Sequence, residues 1–158
     1  MFKYSLTAFV IFIAVFPASV KAVETDNMYR SIVKSVDIND FSLMAAQYHQ
    51  DAVVVSKGKT ELAQSAIKRW KVDGDKLYAN GGKASVEMRF IERTINNNSA
   101  YETGIYLYKT IDSENKMVEY YSHFADLSVK KNNKWLVVME RNIKKATAEE
   151  FDKLLKWQ

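Results

Sequence analysis

Residues 37–58, DINDFSLMAAQYHQDAVVVSKG, contain the change from helix to strand that decides the fold. After the start signal Asn39-Asp40, apolar residues recur with the i, i+3, i+4 and i+7 spacing of one helical face: Phe41, Met44, Ala45 and Tyr48. The β-branched run from Val53 to Val55 then predicts a strand. The stretch therefore predicts a short helix that leads directly into a strand.

The same stretch contains His49 and Asp51, an H-x-D pair that could form a metal or acid/base site or could mark the junction between helix and strand. The chain has two histidines, far apart, and no cysteine. Neither H-x-H nor H-E-x-x-H spacing occurs, so the pattern does not favour a metal site. We interpret the pair as punctuation between the two elements and expect no metal or cofactor.

Further helices are predicted on both sides of this stretch. From Asp26 to Val36, one apolar face is formed by Tyr29, Ile32, Val33 and Val36. Thr60 is a suitable N-cap for a third helix that ends around Asp73-Gly74. Its apolar face consists of Leu62, Ala63, Ala66, Ile67 and Trp70.

The second half of the chain changes to segments rich in β-branched and aromatic residues, separated by the turn-formers NNNS, DSEN and NN. They predict four consecutive antiparallel strands, over residues 84–95, 100–111, 117–130 and 134–144. A last helix, Thr147 to Trp157, opens with a capping box of Thr147 and Glu150. The order favours an α+β fold in which helices pack against the concave face of a curved antiparallel sheet.

The N-terminus has the three-part layout of a secretory signal peptide. Lys3 precedes an apolar run from Leu6 to Phe16, and Pro17 comes before small residues that end at Ala22. The run is shorter than the roughly 20 residues that span a bilayer. We therefore expect cleavage after Ala22, export to the periplasm or the medium, no membrane span in the mature chain, and one domain over residues 23–158.

Charge and cysteine content limit the partners. Cleavage removes Lys3 and Lys21 and no acidic residue, which lowers the formal charge from +4 to +2. Acidic residues are interspersed among the lysines, so no dense basic face is expected and nucleic acid is not a predicted partner. With no cysteine in the chain, an exported protein must be held together by its core alone.

Residues 37–70 and the closing hairpin, HFADLSVKKNNKWLVVMERN at residues 123–142, resemble the NTF2-like superfamily, closest to its SnoaL-like and DUF4440-type single-domain members. The resemblance implies a cone-shaped half-barrel, with a curved antiparallel sheet wrapped around the N-terminal helices and a pocket at its open end. It also implies a homodimer through the outer sheet face, and the last helix would be an addition. The superfamily includes enzymes, carriers and interaction domains, so the fold leaves the function open.

The ketosteroid isomerase type within this superfamily uses an aspartate at the end of the first strand, a tyrosine in the first helix and a second aspartate on a later strand. An ungapped comparison places these at Ser56, near Ile32 and near Ala125. Proton abstraction beside a carbonyl needs a base and an oxyanion donor. We therefore expect these catalytic residues to be absent.

Strand pairing gives the candidate pocket residues. A two-residue turn at Asn132-Asn133 places residue 125 opposite 140, and a four-residue DSEN loop places 106 opposite 121. One sheet face then contains the candidates Glu102, Tyr106, Tyr121, His123, Glu140 and Asn142. A glycine at position 104, opposite His123, would leave space for a ligand. A single β-bulge would reverse the faces.

Three functions remain open from the sequence. The leading hypothesis is an exported domain that binds a small, partly apolar molecule or a partner protein through the open end of the cone. The second is a lyase, isomerase or hydrolase that uses His123 with Glu140 or Glu102 as acid and base. Alternatively, His123 is an ordinary cross-strand residue, and Glu140 pairs with one of the nearby arginines, Arg89, Arg93 or Arg141. The third is a structural dimerisation module, because the opposite sheet face is too apolar to stay exposed unless a second copy or the last helix covers it.

Overall fold

A computed structural model describes residues 19–157, with side chains from residue 24 onward. The predicted signal peptide therefore lies mostly outside the described residues. Along this part of the chain, no helix is long and apolar enough to cross a membrane. The elements are α1 (Ser19–Asp37), α2 (Phe41–Ala45), β1 (Tyr48–Ser56), β2 (Lys59–Leu62), α3 (Ala63–Ala79), β3 (Lys83–Ile95), β4 (Ser99–Ile111), β5 (Met117–Lys131), β6 (Lys134–Lys145) and α4 (Ala148–Asp152).

One curved, unclosed sheet organises the molecule. Its strand order is β2-β1-β6-β5-β4-β3, and every neighbouring pair is antiparallel except β1 with β6. The N-terminal helices pack on its concave face, and their apolar residues form the main core with the sheet. The predicted α+β architecture is confirmed, and so are the four long strands to within one residue at each end.

The stretch that changes from helix to strand does so where expected. Asp40 caps α2, and its carboxylate accepts hydrogen bonds from the backbone N–H groups of Ser42 and Leu43 at 3.0 and 3.2 Å. The helix is shorter than the apolar spacing indicated, because Tyr48 already opposes Val137 of β6. The backbone between Tyr48 and Val53 is irregular against β6, and the H-x-D pair lies in this irregularity.

The third helix differs from the prediction at both ends. Thr60 is not its N-cap but opposes Val55 in a β1–β2 hairpin, whose turn uses Gly58 at a φ of +74°. The helix then runs past Gly74, where a stop was expected. A β-carbon on Gly74 would lie 2.5 Å from the Asn39 amide oxygen and 2.8 Å from the Phe41 ring, so this glycine allows close helix packing.

The strand register also differs from the prediction. The β4–β5 loop has five residues, because Ile111 opposes Met117, and β5 slips against β6 on both sides of the segment Phe124 to Leu127. These shifts move β5 by one residue against its neighbours. Since side chains alternate between the two faces, β5 presents to the cavity the residues that were expected outside.

The last helix covers part of the outer sheet face. The predicted capping box is present, with Thr147 and Glu150 bonded reciprocally at 2.8 and 3.1 Å. Phe151 packs against the apolar outer residues Ile105, Leu107 and Tyr121. Helix α4 therefore covers part of the apolar outer face, which the sequence predicted to be buried by a second copy or by the last helix. Homodimerisation stays a proposal.

Candidate functional site

A cavity of about 390 Å³ lies between the concave sheet face and helices α1, α2 and α3. The exposed lining residues Asp73 and Tyr120 mark its mouth, while Tyr29, Tyr48 and Asp126 are buried at its inner end. Among the described residues the walls are mainly apolar and include nine aromatic side chains: Tyr29, Phe41, Tyr48, Trp70, Tyr78, Tyr106, Tyr108, Tyr120 and Phe124. Such a cavity suits a small molecule with an apolar body.

Two carboxyl groups, Asp126 on β5 and Glu140 on β6, lie opposite each other at the inner end of the cavity. We call them the carboxyl pair. The Tyr29 hydroxyl donates to Asp126 Oδ2 at 3.1 Å, and the Tyr48 hydroxyl donates to Glu140 Oε2 at 2.5 Å. The Asn142 amide nitrogen lies 3.5 Å from Glu140 Oε1. Helix α1 and strand β1 thus hold the pair in place from two sides.

Burial and mutual repulsion shift the titration of the carboxyl pair. Burial first, and then the charge of Glu140, raise the pKa of Asp126 well above its ordinary value. Burial also raises the pKa of Glu140, although hydrogen bonds from Tyr48 and Asn142 oppose the shift. The pair therefore retains protons to a higher pH than two exposed carboxyl groups would. It can donate a proton to a bound molecule or accept one from it.

A second buried acid lies behind Tyr29, outside the cavity wall. Glu102 is fully buried, and its Oε1 is 2.7 Å from Arg93 Nε. Arg93 also contacts Asp26 Oδ1 at 2.7 Å and donates to the Thr25 hydroxyl at 3.0 Å. This cluster, in contrast to the carboxyl pair, contains its own cation.

Three of the six predicted pocket residues lie together in the cavity: Tyr106, Glu140 and Asn142. The Tyr106 hydroxyl donates to Asn142 Oδ1 at 2.9 Å, which extends the polar network toward β4. Glu102 is absent from the lining of this cavity. Two of the three arginines proposed as partners of Glu140 bond elsewhere: Arg93 binds Glu102, and Arg89 donates to the backbone carbonyl of Phe151 at 3.0 Å.

Tyr121 and His123 lie on the outer face, because of the register shift in β5. The Tyr121 ring packs on Phe151 with centroids 5.5 Å apart, and His123 Nε2 lies 3.4 Å from Glu150 Oε1 of α4. The structure therefore does not bring His123 and Glu140 together. Phe124, the next residue along the strand, lines the cavity where His123 was expected.

Gly104 does not provide space for a ligand. It opposes Phe124 and not His123. A β-carbon there would lie 2.2 Å from the Arg89 carbonyl oxygen and 2.7 Å from the Phe124 ring. The missing side chain instead allows strand β3 and Phe124 to approach.

Sequence reasoning missed the residues that complete the site: Tyr29, Tyr48 and Asp126. The ungapped comparison with ketosteroid isomerases examined Ile32 and Ala125, which lie three residues after Tyr29 and one before Asp126. A tyrosine of the first helix and an aspartate of a later strand are therefore present and bonded to each other. Asp126 could have been noticed as a lone acid within the apolar alternation of HFADLSV.

Comparisons with known proteins bear on the fold. No protein-family model and no curated protein matches the chain. Among solved structures, Aln2 from a Streptomyces species superposes with a TM-score of 0.69 at 12% identity, over 81% of this chain and 93% of that one. An NTF-2 like protein of unknown function from Shewanella oneidensis gives 0.60 at 14%, over 76% and 96%.

A ketosteroid isomerase-like protein from Erwinia carotovora atroseptica gives a TM-score of 0.61 at 9% identity, over 82% of this chain and 98% of that one. Identities this low carry information about the fold alone. The DUF4440-type assignment stays a prediction. The superpositions and the sheet topology together show that the chain has the NTF2-like fold.

Proposed function

We propose that the protein is exported and binds a small, partly apolar molecule in the cavity, and that this molecule enters through the open end of the cone. The observation that carries the proposal is the cavity of about 390 Å³, whose walls are rich in aromatic side chains and whose inner end carries the polar groups of Asp126, Glu140 and Asn142. Ligand sites of proteins typically combine these features.

The position of the polar groups favours a small molecule over a partner protein. The carboxyl pair lines the cavity and Asp126 is only 5% exposed, so a partner protein could reach the pair only with an inserted side chain. An enzyme that uses His123 loses its geometric basis, since His123 faces α4. Any proton transfer in the cavity would fall to the carboxyl pair.

Filling the cavity tests the proposal. The neutral dye N-phenyl-1-naphthylamine should bind the purified protein with a rise in fluorescence. Ala84 is buried and lines the cavity, so Ala84→Phe should weaken dye binding by about tenfold or more. Ala79→Phe makes the same change at an exposed position outside the lining and should leave the affinity unchanged. Equal affinity of the two variants, or no binding by the unmodified protein, would contradict the proposal.

Export can be checked separately by the mass of the mature chain. Cleavage after Ala22 keeps Glu24, whose Oε2 accepts hydrogen bonds from Trp135 Nε1 at 2.8 Å and from Lys130 Nζ at 2.7 Å. The first helix can thus remain attached to β5 and β6 after cleavage. Intact-mass spectrometry of the periplasmic fraction of an expressing Gram-negative host should show a chain that begins at Val23. A chain that keeps residues 1–22 would contradict cleavage.

A further inference from the structure

The two buried acid clusters differ in their counter-charge. Arg93 compensates Glu102 and Asp26. By contrast, the described residues that line the cavity include no lysine, arginine or histidine beside Asp126 and Glu140. Buried charges in proteins are normally paired, because an isolated charge loses its hydration without compensation. The carboxyl pair is therefore a site that a positive group could complete.

The hydrogen bonds of the carboxyl pair also indicate a site for a hydrogen-bond donor. Tyr29 and Tyr48 donate to it, so both acids act as acceptors. Asp126 is only 5% exposed and lines the cavity, and its Oδ1 makes no hydrogen bond with any described residue. A buried carboxylate oxygen that lacks a donor, on a side chain that lines a cavity, is an acceptor position for a bound molecule.

The cavity walls suit the remainder of such a molecule. Nine aromatic side chains line the cavity among the described residues, and the two tyrosines that bond the carboxyl pair belong to this set. Aromatic faces attract ammonium groups, and the attraction is larger where water is excluded. Anionic ligands would be repelled by the carboxyl pair and, at the mouth, by Asp73.

We propose that the cavity binds an organic cation, a primary or secondary amine with an apolar body, whose ammonium group donates hydrogen bonds to Asp126 Oδ1 and to Glu140. The inference rests on the proposed function and names its ligand class. The ligand supplies the positive charge that the cavity wall lacks, and its apolar body lies along the aromatic side chains.

The pH dependence of binding follows from the charge of the carboxyl pair. An ammonium group binds the ionised pair best, so its affinity should rise as the pH increases through the raised pKa values, until the amine itself loses its proton near about pH 10. A neutral ligand that accepts a proton from the pair would show the opposite trend. The groups that face the pair from the surrounding elements are Tyr29 on α1, Tyr48 on β1 and Tyr106 on β4. The charge of Glu102 on β4 also acts on Asp126, from behind Tyr29.

The experiment compares probes of one shape and three charges: 2-(1-naphthyl)ethylamine, 2-(1-naphthyl)ethanol and 3-(1-naphthyl)propanoate. Their affinities are measured by calorimetry and by displacement of N-phenyl-1-naphthylamine, from about pH 5.5 to about pH 8.5. At the upper pH the amine should bind about tenfold tighter than the alcohol, and the carboxylate should bind more weakly than both. Asp126→Asn should reduce the amine to the affinity of the alcohol. Asp51→Asn makes the same change at an exposed position outside the lining and should leave the affinities of all three probes unchanged.

The outcomes separate the two proposals. Suppose that the dye binds but the alcohol or the carboxylate has the same affinity as the amine, or that the affinity of the amine falls with rising pH. The inference is then wrong and the proposed function stands. If neither the dye nor any probe binds, both are wrong. Should Asp126→Asn fail to fold, Glu140→Gln removes the other charge of the pair, and the same loss of amine selectivity is expected.

Discussion

Replacing Arg93 by methionine is expected to lower the free energy of unfolding by about 3 to 5 kcal/mol at neutral pH. The guanidinium group compensates Glu102, which has no solvent exposure, and also Asp26. Methionine keeps much of the side-chain volume but removes the guanidinium group that pairs with both carboxylates. The loss therefore measures an uncompensated buried charge and not a packing defect.

The penalty should depend on pH in a defined direction. Burial raises the pKa of Glu102, and Arg93 opposes that shift, so removal of Arg93 raises the pKa further. A carboxyl group with a raised folded-state pKa holds its proton more tightly in the folded than in the unfolded chain. The variant should therefore lose stability as the pH rises through that pKa, so the penalty should be smaller near about pH 4 than at about pH 7. Urea denaturation at both pH values measures the difference.

An exposed arginine offers a matched control. Arg69 bonds both oxygens of Glu61 at 2.8 Å, but its side chain is 55% exposed against 19% for Arg93. Arg69→Met should cost less than about 1 kcal/mol. Adding Glu102→Gln to the Arg93→Met variant should restore part of the stability. Equal costs for the two arginine variants at neutral pH would show that the buried cluster contributes no more than a surface pair.

Gly104→Ala is expected to cost about 2 to 3 kcal/mol, because the new β-carbon would overlap the backbone of β3 and the Phe124 ring. The backbone oxygen of Arg89 cannot rotate away, so the strands must separate or Phe124 must move. Since Phe124 lines the cavity, dye affinity should fall together with stability.

Gly58→Ala is the control, because it makes the same substitution at a position with open space around it. A β-carbon there meets nothing within 4 Å, but φ is +74°, so Gly58→Ala should cost only about 1 kcal/mol and leave dye affinity intact. Thermal denaturation of both variants checks the comparison. If Gly104→Ala is as mild as Gly58→Ala, the close approach of β3 and β4 does not require glycine.

Local signals in the sequence were sufficient for most of the secondary structure. Asp40 and Thr147 cap their helices as predicted, since a side-chain oxygen satisfies free N–H groups whatever the tertiary context. The four long strands follow from β-branched and aromatic composition between turn-formers. Thr60 was misassigned because a threonine before an apolar face can cap a helix or pair in a hairpin, and only its pairing with Val55 distinguishes the two.

The sequence by itself thus determined the α+β class and the order of all elements except β2, because these depend on hydrophobic period and local turn chemistry. The NTF2-like fold was indicated by the resemblance of residues 37–70 and 123–142 to that superfamily. The sequence also placed Tyr106, Glu140 and Asn142 on the cavity side. Only the tertiary structure decided which face of β5 points inward, since one extra loop residue and the slips against β6 move every side chain of that strand to the other face. That shift places Asp126 in the cavity, where the Tyr29 hydroxyl donates to it, and His123 under α4. The pairing of β1 with β6 separately brings Tyr48 to Glu140, 92 positions away in the chain.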